Sequence, residues 1–180
     1  ADLRDGTAYE PLLFLDARNS VGAAPTPDGK ALRLVERRSD GSIQPIRRLA
    51  TALVPSFPAA AVAGDLMVWV ENTRKGQQLW GRTVAGGTPR LLTDDLGDAR
   101  FYQSQYDLVI ADGRVRWVAA GAGDDTELRS VAVTGGRVEV RREPGQWAMT
   151  AWPWMVDGVT AAGGATALRH LTTGQTVRLP

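Results

Sequence analysis

Hydrophobic and polar residues alternate along two stretches of the chain that share one skeleton. The first, GRTVAGGTPRLLTDD, runs from Gly81 to Asp95, and the second, RSVAVTGGRVEVRRE, runs from Arg129 to Glu143. Alternation with a period of two is typical of a β-strand with one buried face, and a glycine pair accepts the positive φ angles of a hairpin turn. Each stretch predicts two antiparallel strands, and the turns at Gly86 and Gly135 are expected to join the third and fourth strands of successive repeats.

An adjacent Asp and Gly at the end of a short apolar segment is a second repeated signal. The pairs are Asp28-Gly29, Gly64-Asp65, Asp112-Gly113 and Asp157-Gly158. Because Asp-Gly favours tight hairpins, each pair predicts a turn between two antiparallel strands. The residues after the second and third pairs also correspond, since Trp69 matches Trp117 and Leu79 matches Leu128.

These repeats predict an all-β fold, a β-propeller segment of about four blades in which each blade is a four-stranded antiparallel meander. The expected blades are approximately 17–50, 51–97, 98–145 and 146–180, with 1–16 as an N-terminal strand segment. A β-sandwich built from several meanders also shows short strands and frequent turns. The repeated order of Asp-Gly, Trp and Gly-Gly favours the propeller.

The segments TPDGKALRLVERRSDG and GQQLWGRTVAGGTPRLLTDD resemble the repeats of TolB-like β-propeller proteins. Such repeats open on Ser-Pro-Asp-Gly-Lys, which Thr26–Lys30 matches, and close on Gly-Gly and Leu-Thr, which Gly86-Gly87 and Leu92-Thr93 match. The resemblance covers about residues 21–180, most closely in the first two repeats. It implies a non-catalytic binding or scaffold module that recognises a protein, peptide or sugar, in the cell envelope or secreted. The Gly-, Ala-, Arg- and Val-rich sequence resembles that of an exported actinobacterial protein.

Composition removes several classes of function. The 21 basic and 20 acidic residues balance to a net charge of +1 without a basic block, so no nucleic-acid partner is expected. The absence of cysteine excludes disulfides and thiolate metal sites. No apolar run reaches the roughly 18–20 residues that a membrane-spanning helix needs. No cofactor is expected.

Aromatic residues provide the candidate binding site. Trp69, Trp80 and Trp117 are expected to pack between blades. Two further segments precede an Asp-Gly pair and are expected on neighbouring inner strands at the mouth of the propeller channel. Their candidate ligand-binding residues are Tyr102, Gln103, Gln105, Tyr106, Trp152 and Trp154. Aromatic and amide side chains together can bind a peptide or a sugar by stacking and hydrogen bonding. The alternative is that these aromatics only pack one blade against the next.

The sequence offers little catalytic chemistry. The single histidine, His170, has no Gly-x-Ser-x-Gly motif to complete a triad, so no catalytic residue is expected. Two loops are rich in carboxylates. They contain Asp94, Asp95 and Asp98, and Asp124, Asp125 and Glu127. Solvated turn acids are the favoured interpretation, and no metal site is expected. The alternatives are calcium binding, or a glycoside hydrolase or lyase that uses Asp94, Asp98 or Asp124.

The four repeats are unequal, and an open ring of blades exposes two apolar faces. Such faces need polar caps or a neighbour. A protein partner is therefore expected, either further blades on a second chain or another copy of this one. The segment Tyr9–Asp16 is expected to supply one strand of that closure.

Overall fold

A computed structural model describes residues 2–157 and 167–178, which form sixteen strands in four antiparallel sheets and one 3-10 helix (Thr51–Leu53). The first sheet contains β1 (Glu10–Phe14), β2 (Ser20–Pro25), β3 (Ala31–Arg37) and β4 (Ile43–Ala50). The second contains β5 (Ala60–Ala63), β6 (Leu66–Thr73), β7 (Gly76–Thr83) and β8 (Gly86–Thr93). The third contains β9 (Val109–Ala111), β10 (Arg114–Ala120), β11 (Thr126–Ala132) and β12 (Glu139–Glu143). The fourth contains β13 (Trp147–Met149), β14 (Trp154–Asp157), β15 (Ala167–His170) and β16 (Thr176–Arg178).

Every sheet is a meander, because its strands follow one another in space as they do in sequence. The expected all-β fold of four four-stranded meanders is thereby confirmed. The chain divides into two compact units, Ala1–Asp94 and Asp95–Pro180, and each unit contains two of the sheets. Within the described residues, no helix has the length and apolar character to cross a membrane.

The core of the first unit lies between its two sheets. Val21 and Leu34 from the first sheet pack with Met67 and Trp69 from the second, and all four side chains are fully buried. β2 and β6 are buried over most of their length, on both faces, which explains why their hydrophobic alternation is imperfect. The first strands of the two sheets, β1 and β5, contact each other, so the sheets converge along that edge.

A buried ion pair also joins the two sheets of the first unit. Arg47 on β4 binds Glu71 on β6 through two hydrogen bonds, of 2.5 Å from Nε to Oε1 and 3.1 Å from Nη2 to Oε2. The Glu71 side chain is only 2% exposed, and Trp69 Nε1 donates a third hydrogen bond to it at 3.1 Å. The Arg47 guanidinium lies 4.1 Å from the centre of the Trp80 ring. A buried carboxylate needs such partners because its desolvation is costly.

The second unit has a comparable arrangement. Leu128 on the third sheet packs with Met149 and Met155 on the fourth. The buried Glu143 on β12 accepts a hydrogen bond from Arg141 on the same strand and binds Arg169 on β15 at 3.1 Å. The junction between these two sheets therefore combines an apolar cluster with a buried, paired carboxylate.

The predicted positions of two glycines and three tryptophans are confirmed. Gly86 is the first residue of β8, directly after the turn from β7, and Gly135 lies in the connection between β11 and β12, so both mark the junction of the third and fourth strands of their sheets. Trp69 on β6 and Trp117 on β10 occupy second strands and are fully buried. Trp80 packs against the core between the first two sheets, as expected.

Two Asp-Gly pairs lie one strand later than the repeat pattern predicts. Asp28-Gly29 joins the second and third strands of its sheet, because β1 in the segment 1–16 pairs with β2 and the first sheet starts at Glu10. Asp157 is the last residue of β14, also a second strand, and Gly158 lies outside the described residues. Equivalence of all four pairs is therefore wrong, since an Asp-Gly turn marks a hairpin without specifying which hairpin of the sheet it closes.

The ion pair of the first unit generates a stability prediction. Arg47→Met leaves the Glu71 carboxylate buried without its cation, and we expect the free energy of unfolding to fall by about 3 kcal/mol. Arg48→Met, on the next residue of the same strand, is the matched control because Arg48 is exposed. Its effect is expected to stay within about 0.5 kcal/mol. Urea denaturation of the two variants measures both values, and equal losses would contradict the prediction.

Candidate functional site

The two segments predicted to bind ligand do not lie on inner strands. Tyr102–Tyr106 is a loop that precedes β9, which begins only at Val109. Trp152 lies in the turn between β13 and β14, and Trp154 is the first residue of β14, the second strand of its sheet. The strand placement is therefore wrong, because both segments carry turns that contain no Asp-Gly or Gly-Gly signal.

The carboxylate of Asp107 organises the loop around Tyr102. Its Oδ2 accepts hydrogen bonds from the backbone N–H groups of Tyr102, at 2.6 Å, and Ser104, at 3.0 Å. Gln103 adopts a φ of 59°, a left-handed conformation that closes the loop over this carboxylate. Burial raises the pKa of Asp107, and the backbone hydrogen bonds oppose that change in part. Asp107 thus holds the Tyr102 backbone in place.

Of the candidate aromatics, Tyr106 and Trp152 are partly buried. Both contact the buried cluster of Leu128, Met155 and Leu171 between the third and fourth sheets. This contact is the packing role that the alternative interpretation assigned to them. Gln103 and Gln105 are exposed.

Trp154 packs edge-on against His170, with ring centroids 4.6 Å apart. The Nδ1 atom of His170 accepts hydrogen bonds from the backbone N–H groups of Thr172, at 3.3 Å, and Thr173, at 3.2 Å. These bonds satisfy the turn after β15, where backbone groups lack strand partners. Both rings therefore have structural contacts within the fourth sheet.

Tyr102 differs from the other candidates because it is 76% exposed and lines a groove. This Tyr102 groove is open, encloses about 370 Å³ and lies in the second unit. It is lined by Asp98, Arg100, Tyr102, Val118, Ala119, Ala120, Gly123, Asp124, Asp125, Thr126, Gln146, Trp147 and Ala148. Its floor is the end of β10, and its walls are the β10–β11 loop and the start of β13.

The side chains of the Tyr102 groove combine an aromatic pair with an acidic rim. Trp147 is fixed, since its Nε1 donates to Pro144 O at 2.8 Å and its backbone N donates to Thr126 Oγ1 at 2.8 Å. Asp98 and Asp124 are exposed on the rim. Arg100, 3.8 Å from Asp98, is the groove's cation, so carboxylates outnumber cations along it.

Two acidic loop residues that do not line this groove, Asp95 and Glu127, bind Arg129. Its Nη1 binds Asp95 at 2.7 Å and its Nε binds Glu127 at 2.8 Å, so one guanidinium joins the two acidic loops. Burial alone would lower the pKa of Arg129, but the hydrogen bonds to Glu127 and Asp95 outweigh it and raise that pKa. Across residues 2–157 and 167–178, no group of three or more His, Cys, Asp or Glu side chains is placed to hold a metal ion.

Trp152 lines a different groove from Tyr102. This Trp152 groove, also in the second unit, encloses about 390 Å³ and contains arginines on β10 and β12. The two predicted segments therefore belong to separate grooves. Sequence reasoning did not select Trp147, although it lies in the same aromatic segment as Trp152, and it did not select the groove arginines, which alternate on a strand like ordinary solvated residues.

Comparison with known proteins places the fold. No family model matches the sequence, and neither does any curated protein. Solved structures do match. A chain of a nidogen/laminin complex aligns with a TM-score of 0.54 and 14% identity, over 88% of this chain and 57% of that one. An acylaminoacyl peptidase in complex with Z-Gly-Gly-Phe-chloromethyl ketone gives 0.57 and 12%, over 97% of this chain and 32% of that one. The acylaminoacyl peptidase of Pyrococcus horikoshii gives 0.58 and 12%, with the same coverages.

These neighbours have β-propeller-like folds. At such identities the likeness shows the fold alone. This chain spans little more than half of the first neighbour and about a third of each peptidase chain. Together with the four meander sheets, the matches show that the chain has a β-propeller-like fold of four blades.

The Arg129 link depends on a glycine. Gly97 has a φ of +65°, and a Cβ there would lie 2.5 Å from Arg129 Nε. Gly123 has the same φ and no atom within 4 Å of its Cβ position, so Gly123→Ala is the matched control. The left-handed conformation costs an alanine about 1–2 kcal/mol at either site. We expect Gly97→Ala to lose about 1 kcal/mol more in thermal or urea unfolding, since Arg129 must leave its carboxylates. Equal losses would mean that the Arg129 link is weak.

Proposed function

We propose that the chain is a non-catalytic binding module that recognises a peptide, a protein segment or a sugar in the Tyr102 groove. One observation carries this proposal: Tyr102 is 76% exposed while Asp107 accepts a hydrogen bond from its backbone N–H group. An exposed aromatic ring on an ordered loop is ready to stack on a ligand, and little conformational entropy is lost when it does.

The rest of the groove suits the same task. Trp147 adds a second, partly buried ring, and Gln146 adds an amide group that both donates and accepts hydrogen bonds. Val118 and the alanines of β10 give the floor an apolar character. Binding sites for small ligands and peptides typically combine apolar walls with a few polar groups that fix orientation. The four-blade propeller-like fold supports a binding role in general terms.

A glycoside hydrolase or lyase is the second candidate, because Asp98 and Asp124 line the same groove. A glycosidase of the usual kind needs one carboxyl that stays protonated, which burial normally achieves. Asp98 and Asp124 are both exposed, and the acid of this region whose pKa burial raises, Asp107, is occupied by backbone N–H groups. This environment favours binding over catalysis.

We further propose that the chain belongs to the TolB-like propellers, that it is of actinobacterial origin, and that it is located in the cell envelope or outside the cell. The segment Thr26–Lys30 and the Gly-Gly turns support this part of the proposal. Recognition at a propeller channel face is also part of the proposal.

Binding in the Tyr102 groove is tested by nuclear magnetic resonance with two probes: a pool of random-sequence decapeptides and a pool of cello-, chito- and malto-oligosaccharides. We expect one pool to shift the Tyr102 amide and the Trp147 indole signals. Tyr102→Ala is expected to weaken the apparent affinity about tenfold, which corresponds to the loss of about 1.4 kcal/mol of stacking. Tyr102→Phe retains the ring and is expected to bind within about threefold of the parent chain.

The matched control is Phe14→Ala, which removes a ring that is 70% exposed and lies outside the groove. It is expected to leave binding unchanged. No shift with either pool, or full binding by Tyr102→Ala, would exclude this site. Release of new reducing ends from the oligosaccharides, lost in Asp98→Asn and Asp124→Asn, would instead establish the hydrolase.

We also propose that the chain associates with further blades, on a second chain or on another copy. The partial coverage of the matched structures and the exposure of Phe14 on the edge strand β1 support this. In sedimentation velocity we expect a concentration-dependent complex, or capture of a purified partner chain. Phe14→Ser should weaken it, whereas Val54→Ser, at an exposed apolar residue outside the strands, should not. A monodisperse monomer at all concentrations, with a closed four-bladed ring, would contradict the proposal.

A further inference from the structure

The Trp152 groove is a concave surface of the second unit that is lined by several charged side chains. Three arginines line it, together with two acids and the indole of Trp152. They are Arg114 and Arg116 on β10, Arg141 on β12, Asp112 in the β9–β10 turn, and Glu139 on β12. Arginine is suited to this position because its planar donors can bind a carboxylate through two bonds.

The three guanidinium groups are held in place by backbone carbonyls. Arg116 Nη1 donates to Ala111 O. Arg114 Nη2 donates to Ser130 O at 3.2 Å, and its Nε donates to Ser130 Oγ at 3.0 Å. Arg141 Nη1 donates to Leu171 O at 3.1 Å. Donors that are already ordered lose less entropy on binding an anion.

Arg116 is the most constrained of the three. Its guanidinium lies 3.9 Å from the centre of the Trp152 ring, and its side chain is nearly buried. Burial lowers the pKa of Arg116; the nearby Arg114 lowers it further, while Asp112 and Glu139 raise it. The two neighbouring cations repel each other in a partly desolvated place, so an additional anion between them is stabilising.

The chain's own acids in this groove are poor occupants. Asp112 is 71% exposed, and its Oδ2 lies 3.6 Å from Arg116 Nη2, beyond hydrogen-bond distance. Glu139 is 70% exposed and 3.1 Å from Arg114. Exposed ion pairs contribute little free energy because water and salt compete with them. Both acids can therefore move aside for a ligand that brings its own carboxylates.

We propose that the Trp152 groove binds an acidic peptide segment of a partner protein, whose carboxylates replace those of Asp112 and Glu139 on Arg116 and Arg114. Carboxylates already occupy these arginines within the chain, so the spacing of the donors suits that group. Leu128, the exposed Val140 and Trp152 line the same groove and provide apolar contact for the methylenes and neighbouring side chains of the peptide. The site is separate from the Tyr102 groove and does not depend on the function proposed for it.

The probes are an acetylated hexapeptide of alternating Glu and Leu, its Gln-for-Glu analogue, and inorganic phosphate, each titrated against the full chain by nuclear magnetic resonance. We expect the Glu peptide to shift the Trp152 indole and the Arg116 Nε–H signals. The Gln analogue should bind at least tenfold more weakly, and the affinity for the Glu peptide should fall as salt rises. Equal binding of the two peptides, or response to phosphate without response to the Glu peptide, would overturn the proposal.

Substitutions of the arginines and of the acids are expected to change the affinity for the Glu peptide in opposite directions. Arg116→Gln and Arg114→Gln are each expected to weaken binding of the Glu peptide about tenfold, the loss of one charge-assisted hydrogen bond. Asp112→Asn and Glu139→Gln are expected to tighten it about threefold, since they remove the competing carboxylates. If the arginines served only the fold, removing these two carboxylates would not tighten binding of the Glu peptide.

Controls elsewhere in the chain carry the same changes of charge. Arg48→Gln removes an exposed arginine and Asp65→Asn removes an exposed acid, and both residues belong to the first unit. Both should leave the affinity within about twofold at 0.15 M salt, where charges beyond about 8 Å are screened. If the arginine variants fail to fold, the two exposed acid variants still decide the matter, because weaker or unchanged binding in both would overturn the proposal.

Discussion

A buried carboxylate between two sheets is the constraint on which each unit depends. In the first unit Glu71 sits on the second sheet and its cation, Arg47, on the first. In the second unit Glu143 sits on the third sheet and Arg169 on the fourth. Apolar packing alone tolerates small sliding of one sheet over another. A buried charge tolerates much less, because any displacement leaves it desolvated and unpaired. The ion pairs therefore fix how the sheets of a unit sit against each other.

The position of the grooves follows from that junction. In the second unit Arg141 donates both to Glu143 and to Leu171 O, directly after β15, so the same side chain serves the junction and lines the Trp152 groove. Trp147 begins the fourth sheet, lies 6.0 Å from the Arg169 guanidinium, and forms a wall of the Tyr102 groove. Both grooves thus have walls from two sheets that a paired charge holds together, which helps each groove to keep its shape.

Sequence alone specified the parts of this fold that local chemistry determines. Gly86 and Gly135 stand at the junctions of third and fourth strands because tight hairpins favour the positive φ that both glycines adopt, and Trp69 and Trp117 are buried because they lie on second strands whose residues are mostly buried. The sequence does not determine which strand of a sheet precedes an Asp-Gly turn. The segment Glu10–Phe14 could by its sequence be an edge strand of this sheet or of another sheet. Its pairing with β2 makes it the first strand here, so Asp28-Gly29 closes the second hairpin of the sheet. The turn at Trp152 carries no glycine, so the pattern gave no reason to end a strand there.

The candidate site was harder to predict for a related reason. Tyr102 and Trp152 look equivalent in sequence, each in an aromatic segment ahead of an Asp-Gly pair. Their difference comes from contacts that the sequence pattern does not show, since Asp107 holds the backbone of Tyr102 within one loop whereas Arg116 on β10 and the apolar cluster contact Trp152. Strand periodicity does not encode such contacts, because Tyr102, Asp107 and Trp152 lie in loops and turns.

One strand connects the two grooves. The end of β10, Val118 to Ala120, forms the floor of the Tyr102 groove, and its beginning, Arg114 and Arg116, lines the Trp152 groove. From Arg116 to Ala120 the strand rises roughly 13 Å, at about 3.3 Å per residue. Between them Trp117 is fully buried and its Nε1 donates to Leu96 O at 3.0 Å, so this strand does not shift easily. A rigid strand keeps the acidic and the basic groove at a fixed spacing. A partner with a basic segment and an acidic segment at that spacing would gain affinity from both, because the second contact becomes intramolecular once the first has formed.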